Sequence, residues 1–146
     1  MRIFVDSNVF IEYSKGDHKA AELLERVIGE ELYINGVVYS EVAYIFIRAA
    51  SGRNYFQLKK DKKLISNFGS RFIELLFPVL RLAEFLKINE NIISMANDFI
   101  VEYGLLPNDA LILATCKYYR IDALLTLDEE DFREACGKEG IHLICR

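Results

Sequence analysis

Short apolar runs alternate with longer stretches in which apolar residues recur every three or four positions, a pattern that predicts a parallel sheet flanked by helices. Ile3-Phe4-Val5, bounded by Arg2 and Asp6, reads as a short strand buried on both faces. Further strands are expected at Leu32-Tyr33-Ile34, Phe85 to Ile88, Ala123 to Leu127 and, at an edge, Ile141 to Ile144. Helical spacing predicts a short helix from Val9 to Tyr13 and another from Ala20 to Ile28. A third is expected from about Tyr39 to Ala50, with Val42, Ile45, Phe46 and Ala49 facing inward. Within it, Val42 to Ile47 is apolar on nearly all sides and reads as buried. Asn89 or Glu90 opens a helix to Tyr103, with Ile92, Ile93, Ala96, Phe99 and Ile100 inward and Gly104 as its stop. Pro107-Asn108-Asp109 opens the next, which runs to Tyr119.

The middle, Tyr55 to Leu82, is less regular. Lys59, Lys60, Lys62 and Lys63 stand among Leu58, Leu64 and Ile65, which predicts an amphipathic helix with a basic face. That face is either an ordinary solvated surface or a flank that contacts phosphate. Phe72 to Leu80 is strongly apolar and interrupted by Pro78, and suits either core or a patch facing a partner chain.

With 146 residues, no linker and no internal repeat, a single domain spanning 1–146 is expected. Hydrophobic residues at 52% supply a core, and 27% charged residues fit a soluble chain. The net charge of −4 excludes nucleic-acid binding by bulk charge, so such contact needs a local basic patch or a metal ion. Cys116, Cys136 and Cys145 show no CxxC spacing, which disfavours a zinc site or disulfide framework and suits a reduced, cytoplasmic setting. No signal-peptide pattern or membrane-length apolar run is present, so no membrane partner is expected.

Candidate chemistry lies in the acids. Asp6 ends the first strand, where ligands of open α/β sheets collect. A helix returning to a parallel strand begins at that same edge, and Asp109 lies in such a first turn. From Asp109 to Tyr119 the helix descends about 16 Å, and a strand from Ala123 to Leu127 climbs back about 16 Å. Asp128 therefore surfaces level with Asp109, and Glu41 begins from the same edge. Singly, these acids are explained as caps, dipole partners or turn residues. Together they repel, at about 4 kcal/mol per pair 4 Å apart with an effective dielectric of 20. Either some bind protons or a cation neutralises them. An all-carboxylate oxygen site suits Mg²⁺ or Mn²⁺, and the chemistry it supports is phosphodiester hydrolysis.

His18 falls in a polar turn and His142 on an edge strand, and neither is expected to serve as a base. Cys116 reads as a small core residue. An α/β phosphohydrolase with Asp6 as nucleophile is a lesser alternative, because it wants a second Asp where Asn8 stands. A module that binds RNA or protein without cutting is another.

Asp6-Ser7-Asn8-Val9, Glu41 in Tyr39-Ser40-Glu41-Val42, Asn108-Asp109-Ala110-Leu111, and Leu125-Thr126-Leu127-Asp128 through Asp131-Phe132 resemble the successive motifs of PIN-domain ribonucleases. Within that group, the small VapC-type toxins of prokaryotic toxin–antitoxin pairs are the nearest in pattern. The resemblance implies a three-layer α/β fold with strand order 3-2-1-4-5, a homodimer, Mg²⁺- or Mn²⁺-dependent endoribonuclease activity on RNA, and a VapB-like antitoxin. It makes Asp6, Glu41, Asp109 and Asp128 the metal ligands and catalytic set. Asn8 and Thr126 match supporting polar positions, and Asp131 an additional outer carboxylate. The segment Tyr55 to Leu82 departs from it, being longer and more apolar than in many small members.

Overall fold

The computed structural model describes residues 1–145. β1 (Arg2–Val5) leads through α1 (Ser7–Ser14) and α2 (His18–Val27) to β2 (Glu31–Asn35). Four helices follow: α3 (Gly36–Ser51), α4 (Tyr55–Lys60), α5 (Lys62–Leu75) and α6 (Phe77–Leu80). The chain then forms β3 (Glu84–Leu86), α7 (Glu90–Tyr103), α8 (Pro107–Tyr118), β4 (Ala123–Leu125), α9 (Glu129–Glu139) and β5 (His142–Ile144). Every pairing is parallel, and the order is β3-β2-β1-β4-β5, as the resemblance implied.

Phe4, Val5, Ala123, Leu124 and Leu125 are wholly buried. Consecutive strand residues point to opposite faces, so β1 and β4 are covered on both sides and the sheet is the middle of three layers. The outer strands β3 and β5 remain more open. Side chains set where helices begin: Asp17 accepts from Ala20 N and Asn89 from Ile92 N, each at 3.0 Å. Gly104, at φ 67°, ends α7 in the left-handed conformation that a Cβ disfavours.

Several expectations need correction. β4 stops at Leu125 rather than Leu127, because side chains of Asn8 and Thr126 take over the amides of Leu127 and Asp128. β3 is Glu84–Leu86 rather than Phe85 to Ile88. The lysine-rich stretch is two helices: Asp61 leaves helical geometry (φ −124°, ψ 79°), closes α4, and caps α5 by accepting from Leu64 N. Val42 to Ile47 is not buried all round; Val42 is buried, Tyr44 is exposed and the rest are half-buried. Ala49 and Ile93, expected inside, are exposed. In both helices the contacted face is narrower than the apolar stripe. Phe72 to Leu80 divides by helical spacing: Phe72, Leu76 and Leu80 are core, while Ile73 and Leu75 face out. Helix α9 fills a stretch between Asp128 and Ile141 to which the sequence pattern assigns no element. Acids in a first turn suit the helix dipole, and Phe132, Ala135 and Cys136 form its buried stripe.

Asn35, wholly buried at the end of β2, ties the layers together. Its Oδ1 accepts from Val37 N and Val38 N, and its Nδ2 donates to Thr115 Oγ1 on α8 at 2.9 Å. Asn35→Ala removes a cap and a buried bond at once, and is expected to cost about 2–3 kcal/mol. Urea unfolding measures this; a loss below about 0.5 kcal/mol would mean that neither bond supports the fold.

Candidate active site

Five polar residues are buried among the described residues: Asp6, Ser7, Asn35, Thr115 and Thr126. Strand register explains why three of them sit side by side. Val5 pairs with Leu125 and Phe4 with Tyr33, so continuing each ladder brings Asp6 level with Thr126 and with Asn35. The sheet ends there, and polar side chains replace the ladder.

Asp6 is 4% exposed. Its Oδ1 accepts from Ser7 N at 2.7 Å and its Oδ2 from Thr126 Oγ1 at 2.8 Å. Thr126 Oγ1 in turn accepts from Asn8 Nδ2 at 3.2 Å and Asp128 N at 3.0 Å, which uses its full bonding capacity. Asn8 Oδ1 accepts from Leu127 N at 3.1 Å. Asn8 and Thr126 thus brace the end of β1 against the end of β4 and fix the Asp6 carboxyl between them.

Glu41, on the second turn of α3, is held by neutral donors: Ser7 Oγ at 3.0 Å and Asn108 Nδ2 at 3.2 Å. Asp109 follows Asn108 in the first turn of α8 and is half-buried. Asp128 is the residue before α9 and makes no capping bond, and Asp131 lies one turn on. Ser7 and Asn108 were absent from the expected set. Each stands beside an acid of that set, Ser7 after Asp6 and Asn108 before Asp109, and nothing local marks either as a partner of Glu41.

Burial pushes the Asp6 carboxyl up to about 6; hydrogen bonds from Thr126 and Ser7 oppose the rise, and the Glu41 charge adds to it. Asp109 is raised to about 7, by burial first and then by Asp6, Asp131, Glu41 and Asp128. Asp128 is also raised, by burial and then by the Asp131 carboxyl beside it. Asp109 is thus where the fields of all the candidate acids meet. It borders a cleft of about 280 Å³ that Leu106, Glu130, Asp131 and Glu134 also line.

The structure brings Asp6, Glu41, Asp109 and Asp128 to one sheet edge, with Asn8, Thr126 and Asp131 around them. Among the described residues, no three His, Cys, Asp or Glu side chains stand in ligating geometry around one point. Glu41 and Asp6 are instead held by internal donors. The donor set is oxygen throughout and crowded with negative charge, which fits a hard divalent cation. His142 pairs with Ala123 at the far end of the strands from Asp6, and Cys116 is wholly buried with its thiol pushed well up by burial.

These raised carboxyls fix the sign of a pH effect. A carboxyl with a higher pKa folded than unfolded takes up protons on folding, so stability falls as pH rises through the window from about 4 to about 7. The metal-free protein is expected to melt lower at about pH 8 than at about pH 5. Asp109→Asn is expected to raise the melting temperature near pH 8 by about 2–6 °C. Asp6→Asn gains less, because its amide NH₂ would meet the already saturated Thr126 hydroxyl. Melting that is flat across this range would contradict the burial of charge.

The sequence pattern of the PIN domain matches residues 3–138. Ribonuclease VapC2 of Methanocaldococcus jannaschii is 33% identical over 144 residues, covering 97% of this chain and 94% of that protein. Ribonuclease VapC6 of the same organism is 36% identical over 137 residues, covering 88% of this chain and 89% of that protein. A toxin–antitoxin complex from Klebsiella pneumoniae contains a chain of like fold, with a TM-score of 0.63, 23% identity and 89% coverage of each chain. With the motif order, the strand order and the acid edge in agreement, this chain belongs to the PIN domain family.

Proposed function

We propose that this chain is an endoribonuclease that uses Mg²⁺ or Mn²⁺, and that it is the toxin of a toxin–antitoxin pair. The observation that carries the reading is the gathering of Asp6, Glu41, Asp109 and Asp128 at one sheet edge, and the rise of the Asp109 carboxyl through burial and its acidic neighbours agrees with it. Two relatives named as ribonucleases, each about a third identical over most of the chain, support RNA as the substrate.

Asp6, Glu41, Asp109 and Asp128 would hold the cation. A bound divalent ion supplies polarisation of a phosphoryl oxygen and a lowered pKa for water. The chain's own residues do the positioning. Thr126 fixes Asp6 Oδ2 and leaves it a second lone pair, while Ser7 fixes Oδ1 through its amide and, more weakly, its hydroxyl. Asn8 holds Thr126, and Asp131 shares the local charge with Asp128. Asn108 and Ser7 orient Glu41 from two different helices. Asp109 retains a proton near neutrality when alone, and a cation would displace it. The alternative with Asp6 as a phosphoryl nucleophile lacks its second acid, since the Asn8 amide is committed to Thr126 and Leu127.

A partner antitoxin is supported by the Klebsiella pneumoniae toxin–antitoxin complex, one chain of which shares this fold. A homodimer is supported by the outward apolar face of Tyr39, Ile73, Phe77 and Phe85.

RNA cleavage is expected only with Mg²⁺ or Mn²⁺, and Asp109→Asn should lower kcat/KM at least about a hundredfold while the protein stays folded and melts no lower than the parent chain. Cleavage that persists in excess EDTA would overturn the metal-dependent reading. Sedimentation equilibrium is expected to give a dimer that Ile73→Glu converts to monomer; an unaltered mass would place the partner face elsewhere.

A further inference from the structure

Charge is divided unevenly along this molecule. From Arg48 to Arg71 there are seven basic residues and one acid, Asp61, in a chain of net charge −4. This segment comprises the end of α3, all of α4 and most of α5. It is an ordered scaffold. Asn54 and Gln57 cap α4 reciprocally, Leu58 anchors it in the interior, and Asp61 caps α5.

Aromatic rings stand among the cations. Tyr44 and Tyr55 meet edge to face at 6.4 Å, and Tyr55 and Phe56 at 5.4 Å. Lys59 Nζ lies 5.9 Å from the Tyr55 ring centre. Phe56 is 72% exposed, a large ring left in water beside lysines. The patch is continuous with the acid edge through α3. Glu41, Tyr44 and Arg48 follow the i, i+3, i+7 stripe of one helix face, with Arg48 about 10 Å along the axis from Glu41.

We infer that Tyr44, Arg48, Tyr55, Phe56 and Lys59 form a track that binds single-stranded RNA and leads it to the acid edge. This deepens the ribonuclease reading and rests on it. The acids repel a polyanion, so cations set apart from them must hold the phosphates on either side of the scissile bond. Exposed rings interleaved with basic side chains are what unpaired bases need, since every base offers a face for stacking. An acidic peptide would satisfy the lysines alone, whereas single-stranded RNA satisfies lysines and rings together.

Fluorescence anisotropy with a labelled, unstructured oligouridylate in EDTA tests the track without cleavage. The variant carrying Arg48→Glu and Lys59→Glu is expected to bind at least about tenfold more weakly, with a log–log salt slope reduced by about 1.4. Phe56→Ala, which leaves charge unchanged, is expected to weaken binding about tenfold. Lys19→Glu, a charge reversal on α2, should leave affinity unaltered. Equal loss in Lys19→Glu, or no loss in the track variants, would overturn the inference. Track variants that keep RNA affinity but lose an acidic protein partner would overturn it in favour of a protein surface. The melting-temperature rise on adding Mn²⁺ reports on the acid edge separately: its absence in the parent chain sinks the ribonuclease reading, while anisotropy alone decides the track.

Discussion

Burial of the Asp6 carboxyl is the constraint on which the site depends. A carboxylate with 4% exposure needs partners for both oxygens, and Thr126 and Ser7 supply them. That need explains the short β4, which ends so that the Thr126 side chain can turn to Asp6. It also explains Asn8, whose amide secures Thr126 and the loop amide of Leu127. No buried side-chain polar atom among the described residues lacks a partner. The polar edge is thus as closely specified as the apolar sheet beneath it.

Charge is the part these bonds do not balance. Hydrogen bonds lower the Asp6 pKa, yet burial wins and the carboxyl stays at about 6. Asp109 has less burial and more like-charged neighbours, and reaches about 7. The edge is therefore strained electrostatically near neutrality, in the sense that protons or a cation must complete it. Structural carboxylates are usually found beside lysine or arginine. Here the densest run of basic residues lies apart from these acids, seven of them between Arg48 and Arg71, where they serve a polyanion.

Much of this could be read from residues alone. Ile3-Phe4-Val5 ending at Asp6 placed the central strand. Asn89 and Gly104 bounded α7, and the rise of helix and strand brought Asp128 back to Asp109. Local capping and hydrophobic spacing carry that information. What escaped depends on neighbours distant in sequence. Ile93 and Ala49 belong to apolar stripes, but only tertiary packing decides how much of a stripe is covered. Asp61 breaks a lysine-rich helix in two because its side chain is used as a cap, and α9 hid behind acids that favour its first turn. Ser7 and Asn108 became visible as partners of Glu41 only once three helices were set together.

The most direct test is a carboxyl-detected NMR titration of the protein with and without Mg²⁺. If buried like charge defines this edge, the Asp109 carboxyl titrates near 7 and Asp6 near 6 in the metal-free protein, and both fall below the ordinary carboxylate range once the cation binds. Both titrating at about 4, the usual value for an exposed Asp, and unmoved by Mg²⁺, would contradict it.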